Sequence, residues 1–306
     1  MDRPLVTVFG ATGAPGGSLV RALLADPARA WRVRAATRQA GGAAARALAE
    51  LGAEIIEADL DDAPTVRRAL RGAHGAFFVT HPWIGAQAAR EQARAATLAD
   101  AAALERVRHV LWSTLDDPRA VLACTPPCPG ATRDTERSFA ERGVPLTRLL
   151  AALPWDQLLR LGLGPQRDAE GRLVLALPLG RARLPGIACR DIGACAAELL
   201  RRGEHSTGGA LGLTGEHLDG AQMAAALARV LGEPVRYAAR EPDQPPGCAA
   251  AADLLDILRC MRRHEPVMRA ARASNVAPVL HPPLTRFEAW LRGDGAALLG
   301  ATLALA

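Results

Sequence analysis

The chain has 306 residues and no lysine; all 37 residues counted as Lys or Arg are arginine. Arginine does not deprotonate in a protein, so a lysine-type acid, base or Schiff-base amine is excluded. Tyrosine is almost absent too, with Tyr237 alone. No apolar run approaches the ~20 residues that a membrane helix needs. The tail GAALLGATLALA is apolar but short and broken by glycine, and it reads as a helix end or packing tail. Cysteines at zinc spacing are missing as well. Cys124, Cys128, Cys189, Cys195, Cys248 and Cys260 are scattered, and Cys124-x3-Cys128 has no matching second pair. Free thiols in a reducing compartment are therefore expected, and no metal site. The N-terminus MDRPLVTVFG enters a strand pattern at once, so no leader peptide is expected. The expected location is the cytoplasm, with access to the nucleus, and no membrane association.

What is present is an apolar fraction of 49%, enough for a sizeable core. The net charge is +5, but the arginines come in dispersed pairs such as Arg67-Arg68, Arg201-Arg202 and Arg262-Arg263, beside acidic residues. Such pairs read as solvated helix faces, so direct nucleic-acid binding is not expected.

The first half alternates strand and helix patterns. PLVTVFG, WRVRAATR, AEIIEAD, GAFFVTH and VRHVLWST read as strands; amphipathic helical stretches lie between them, the fourth running from Gly85 to Leu104. VPLTRLLA reads as a sixth strand. This alternation implies parallel strands with helices on both faces. The expected fold class is α/β: a Rossmann-type doubly wound parallel sheet over residues 1–152, and a smaller α/β C-terminal domain over residues 153–306. Some segments of the second part are expected to return to the first sheet. GRLVLALPLGRARLPGI reads as an extended or hairpin segment, and DIGACAAELLRRG as a helix capped by Asp191. Helices are expected at Ala249–Arg263 and Leu284–Arg292.

The segment VFGATGAPGG holds Gly10, Gly13 and Gly16 between the first strand and the first helix. One glycine suits the tight turn, one lets backbone approach a pyrophosphate, and one lets the helix sit close to the strand. The helix start then offers free N–H groups to the phosphate. Thr12 adds a hydroxyl donor, and Ala14 and Pro15 complete the loop; Pro15 costs no helical hydrogen bond there. The second strand ends in Thr37-Arg38, with no acid before Glu50. An acid at that place would favour the ribose hydroxyl of NAD(H). Arg38 instead matches a 2′-phosphate, so NADP(H) is expected in preference to NAD(H). Asp59 and Leu60, in ADLDD after the third strand, are expected near the adenine, and a carboxylate there also caps the next helix. Thr80 and His81 end the fourth strand, where such sheets line their crevice.

These segments, with FAERGVPLTRLL and the C-terminal LTRFEAWL, make the chain similar to the NmrA-like family, from about Leu5 to about Arg292. That family is an atypical branch of the short-chain dehydrogenase/reductase superfamily, and the chain resembles in particular its animal redox-sensor proteins. The resemblance implies a dinucleotide-binding domain with a preference for NADP(H). It also implies Gln157, in LPWDQLL, at a place where the family pattern has an asparagine. Family regulators bind a dinucleotide and report its level to protein partners, including transcription factors; a homodimer is compatible with the pattern. Neighbouring reductases act on quinones and plant phenolics. Standard members of the superfamily use Tyr-x-x-x-Lys for proton delivery. No such motif exists here; Thr132 stands where relatives carry a lysine, and Ser113 fits the usual serine position. The expected function is therefore regulatory, with no catalytic residue. The proline-rich loop from Asp116 to Gly130 is the segment expected to respond to cofactor occupancy. The alternatives are an NADPH-dependent reductase drawing its proton from water, Ser113 or His81, and a scaffold that no longer binds cofactor.

Overall fold

The structure is a computed structural model that describes residues 3–79, 88–114, 131–203, 208–242, 249–271 and 275–304. Alternating apolar stretches build strands β1 (Leu5–Phe9), β2 (Arg32–Thr37), β3 (Glu54–Glu57), β4 (Ala73–Val79), β5 (His109–Thr114) and β6 (Leu146–Ala151). The helices between them are α1 (Ala14–Leu24), α2 (Ala43–Glu50), α3 (Ala63–Leu70), α4 (Ala88–Leu104) and α5 (Ala131–Glu141). Strands β1 and β5 are buried along their whole length, as strands covered by helices on both faces must be.

The second half continues with β7 (Leu153–Pro154), α6 (Trp155–Arg160), β8 (Gln166–Arg167), β9 (Leu173–Ala176), β10 (Leu184–Ile187) and α7 (Cys189–Arg202). Then come β11 (Ala210–Leu213), β12 (Glu216–Leu218), α8 (Gly220–Leu231) and β13 (Val235–Ala238). Helices α9 (Ala249–Ala271), α10 (Ala277–Leu280), α11 (Phe287–Arg292) and α12 (Ala296–Ala304) follow.

The central sheet has seven strands in the order β11-β6-β5-β4-β1-β2-β3, all paired in parallel. The chain leaves β1 toward β2 and β3, then returns to place β4 on the other side of β1. That reversal opens a crevice beyond the carboxyl ends of β1 and β4. Two further three-stranded sheets, β12-β10-β7 and β13-β9-β8, lie outside it. Strand β11 extends the first sheet although it comes late in the chain, and α7 packs against α1. The cores follow this layout. Val6, Val8, Leu19 and Leu23 pack with Ile192 and Leu199 of α7, whereas Phe78, Trp112 and Phe139 stack on the other face. A third cluster joins Trp155, Phe287 and Trp290 in the outer part.

Some expectations are corrected. GRLVLALPLGRARLPGI is extended, one of the two forms expected of it, and not a hairpin: β9 pairs with β13 and β8, while β10 pairs with β7 and β12 in another sheet. Asp191 does not cap α7. The N-cap is Ala188, and Asp191 sits fully buried inside the first turn. It accepts hydrogen bonds from the Thr285 backbone N–H (2.8 Å) and hydroxyl (2.9 Å). Helix α9 runs past Arg263 to Ala271 across a kink at His264, two residues before Pro266. The last predicted helix starts at Phe287 rather than Leu284, and the tail forms α12.

Candidate functional site

Strand β1 ends at Phe9, and Gly10 turns the chain with φ of 66°, a conformation that a side chain resists. The Gly13 N–H closes this turn onto the Gly10 carbonyl (2.9 Å). A Cβ at Gly16 would collide with that same carbonyl. Glycine there is what lets α1 begin against the end of β1. Helix α1 starts after Gly13 with no side chain capping it and with proline in its first turn, so its leading N–H groups stay open to a ligand.

A cleft of about 720 Å³ opens over this turn. Gly10, Thr12, Gly13, Ala14 and Pro15 line it, and so do Arg38, Asp59, Leu60 and Gln157. Gly16 does not line the cleft; it is buried behind the loop as a packing contact. Thr80, His81 and the loop 116–130 lie outside the described residues, and so does the Thr132 side chain, although Thr132 falls within α5.

Asp59 does not cap α3. Its Oδ1 accepts from the Asp61 N–H (3.1 Å), and the N-cap place belongs to Asp62. Asp59 thus closes the turn after β3, which holds Leu60 at the cleft wall.

Residues that sequence reasoning passed over complete the walls. Gly42, Ala43, Ala44 and Ala45 line the cleft at the start of α2, which also has no side-chain cap. The signal was the Gly41-Gly42 pair between Arg38 and an alanine-rich helix. Arg94 reaches the cleft from α4, and Asp61 holds its guanidinium through two bonds of 2.7 Å. Hydrogen bonds from Arg94 and then Arg90 hold the Asp61 carboxyl well below the usual range. Asp156 and Arg160 join Gln157 from α6, and Cys189 comes from the start of α7. Nothing in the local sequence announces Cys189: the Ser18 hydroxyl donates to its carbonyl (2.6 Å), across 171 positions of chain. Burial first, and then the adjacent Asp156 carboxylate, push the Cys189 thiol well above its ordinary value. It stays protonated and is a poor nucleophile.

Ser113 is buried at the end of β5, where it pairs with Val79, and it is not among the cleft walls. The single tyrosine is elsewhere. Tyr237, on β13, donates its hydroxyl to the carbonyls of Leu177 (3.2 Å) and Gly180 (3.0 Å). No group of three or more metal-ligating side chains occurs among the described residues. No described helix is long and apolar enough to cross a membrane.

A parallel sheet of this order, with a glycine turn opening its first helix below a crevice at the topological reversal, defines a Rossmann-type α/β protein. The particular family follows from comparison with known proteins. Residues 2–244 match the model of the NmrA-like family, and the chain belongs to that family. An NmrA-like family domain-containing oxidoreductase of Aspergillus versicolor is 45% identical over 80 residues, which cover 26% of this chain and 22% of that protein. The aligned stretch thus spans only about a fifth of that relative's length. Among solved structures, NmrA, a negative transcriptional regulator, superposes with a TM-score of 0.79 at 22% identity, over 98% of each chain. Triphenylmethane reductase of Citrobacter sp., complexed with NADP(H), gives a TM-score of 0.74 at 19% identity, over 97% of this chain and 99% of that one.

Proposed function

We propose that this protein binds NADP(H) in the cleft and uses the cofactor as a regulatory signal read by protein partners. The residues fit such a ligand. The open start of α1 suits the pyrophosphate, and the close approach at Gly16 keeps that start within reach of β1. At the far end, Arg38 and the uncapped start of α2 together suit a 2′-phosphate, the group that separates NADP(H) from NAD(H). Gln39-Ala40-Gly41-Gly42 follows Arg38 with no further basic side chain, and the N–H groups at the uncapped start of α2 complete the donor set for that phosphate.

The regulatory reading rests on one structural observation, that the only tyrosine is bound to carbonyls outside the cleft, in a chain that has no lysine. Hydride transfer is what the bound cofactor supplies, but the superfamily's proton donor has no counterpart on the cleft walls among the described residues. Occupancy then acts by favouring one conformation over another, which a partner protein or a second copy of the chain can recognise. Comparative titration with NADPH, NADP, NADH and NAD tests this reading. Tight binding of the phosphorylated pair supports it, and absence of binding at high micromolar concentration overturns it.

A second reading, an NADPH-dependent reductase, is favoured by the names of the relatives, which include oxidoreductases and a triphenylmethane reductase. Steady-state oxidation of NADPH over a panel of quinones separates the two. Sustained turnover replaces the regulatory reading with this one.

A further inference from the structure

We propose that Asp156 is the specificity residue for the nicotinamide half of the dinucleotide, accepting a hydrogen bond from an uncharged donor there. This rests on the dinucleotide reading of the cleft. Asp156 is only 7% exposed, yet it lines the cleft. Its Oδ2 is buried with no hydrogen-bond partner among the described residues. A buried carboxylate oxygen without a partner is costly, and a ligand that donates to it removes the cost.

The place of Asp156 decides which part of a ligand it meets. Arg38 follows β2, whereas Asp156 follows β6 and β7, and β6 lies on the opposite side of β1 from β2. Cys189, beside Asp156, is tied through its carbonyl to Ser18 of α1. Asp156 therefore stands beyond the glycine turn, on the side away from the adenine end. A phosphate against Asp156 itself would be repelled by the carboxylate; Arg160, one turn further along α6 on the same wall, is the group there that suits an anion. The remaining donors of the dinucleotide on that side are the ribose hydroxyls and the carboxamide N–H2 of the nicotinamide mononucleotide half. The Cys189 thiol, kept protonated, is itself a weak donor toward the Asp156 carboxylate, and it is Oδ2 that stays without a partner among the described residues.

The test compares three probes by calorimetry on the full chain: NADPH, 2′-phospho-ADP-ribose and 2′,5′-ADP. Asp156→Ala is expected to weaken NADPH about tenfold and to leave 2′,5′-ADP within about twofold. A matching loss for 2′-phospho-ADP-ribose assigns the donor to the ribose; a loss confined to NADPH assigns it to the carboxamide. Asp156→Asn, which keeps the volume but replaces one acceptor oxygen, is expected to act in the same direction. It carries the test if the alanine variant does not melt cooperatively. Equal losses for all three probes, or an unchanged NADPH affinity in a folded variant, overturn the proposal. A wild-type chain that fails to bind 2′,5′-ADP overturns the dinucleotide reading instead, so the two failures are distinguishable.

Discussion

Arg38 is exposed at one end of the cleft, and its value depends on what it meets. Against a 2′-phosphate, its fork makes charge-assisted hydrogen bonds; against a ribose hydroxyl it makes weaker ones. Arg38→Ala is expected to weaken NADPH by about tenfold to a hundredfold and NADH by much less. Equal losses in a fluorescence titration would remove the argument for NADP(H). A second residue acts on stability. His109 is 3% exposed at the start of β5 and shares a hydrogen bond of 3.0 Å with the Thr147 hydroxyl. Burial, reinforced by His74, pushes its pKa down to about 4. The unfolded chain takes up this proton near pH 6.5, whereas the folded chain refuses it until about pH 4. The stability that the neutral imidazole contributes is therefore complete above about pH 6.5 and falls as pH drops toward 4, by up to about 3 kcal/mol. The urea midpoint of the wild type should drop further between pH 7 and pH 4.5 than that of His109→Asn. Parallel drops would rule His109 out as the cause.

At the scale of elements, α7 is the joint between the two halves of the chain. It packs along α1, carries Cys189 to the cleft, and anchors the segment before α11 through Asp191. Asp191→Ala would leave the Thr285 N–H without its buried acceptor. The expected loss is about 1–3 kcal/mol of stability, read as a lowered denaturant midpoint with an unchanged slope. An unaltered midpoint would mean that water or His281, 3.8 Å from the carboxylate, replaces the contact. The strand–helix order of the first half could be read from the sequence because each element there carries its own period and its own turn. The second half could not be read as fully. β9 and β10 sit eight positions apart in chain yet belong to different sheets, and no local pattern specifies a partner that distant. Asp191 looked like a cap for the same reason: a cap is a local signal, and Thr285 is 94 positions away.

For the whole molecule, ligand binding and stability are linked. A cofactor that binds only the folded chain stabilises it by about 2.7 kcal/mol at a concentration of 100 Kd. Saturating NADPH should raise the melting temperature by several degrees, and NADH at the same concentration should raise it less. Identical shifts, or none, would contradict the assignment of Arg38 and the start of α2 to the 2′-phosphate.

The amino-acid sequence by itself determined the parallel α/β architecture, the glycine turn, the basic end of β2 and the absence of lysine and of any Tyr-x-x-x-Lys motif. Each of these is written in a few adjacent residues or in a residue type the chain does not use. Only the tertiary structure decided that Asp156, Arg160, Cys189, Arg94 and the start of α2 share one cleft with that turn. It also decided that Tyr237 spends its hydroxyl elsewhere. The physical reason is that a crevice at a topological reversal is walled by segments far apart in chain. A buried carboxylate oxygen without a partner comes into being only when those segments close around it.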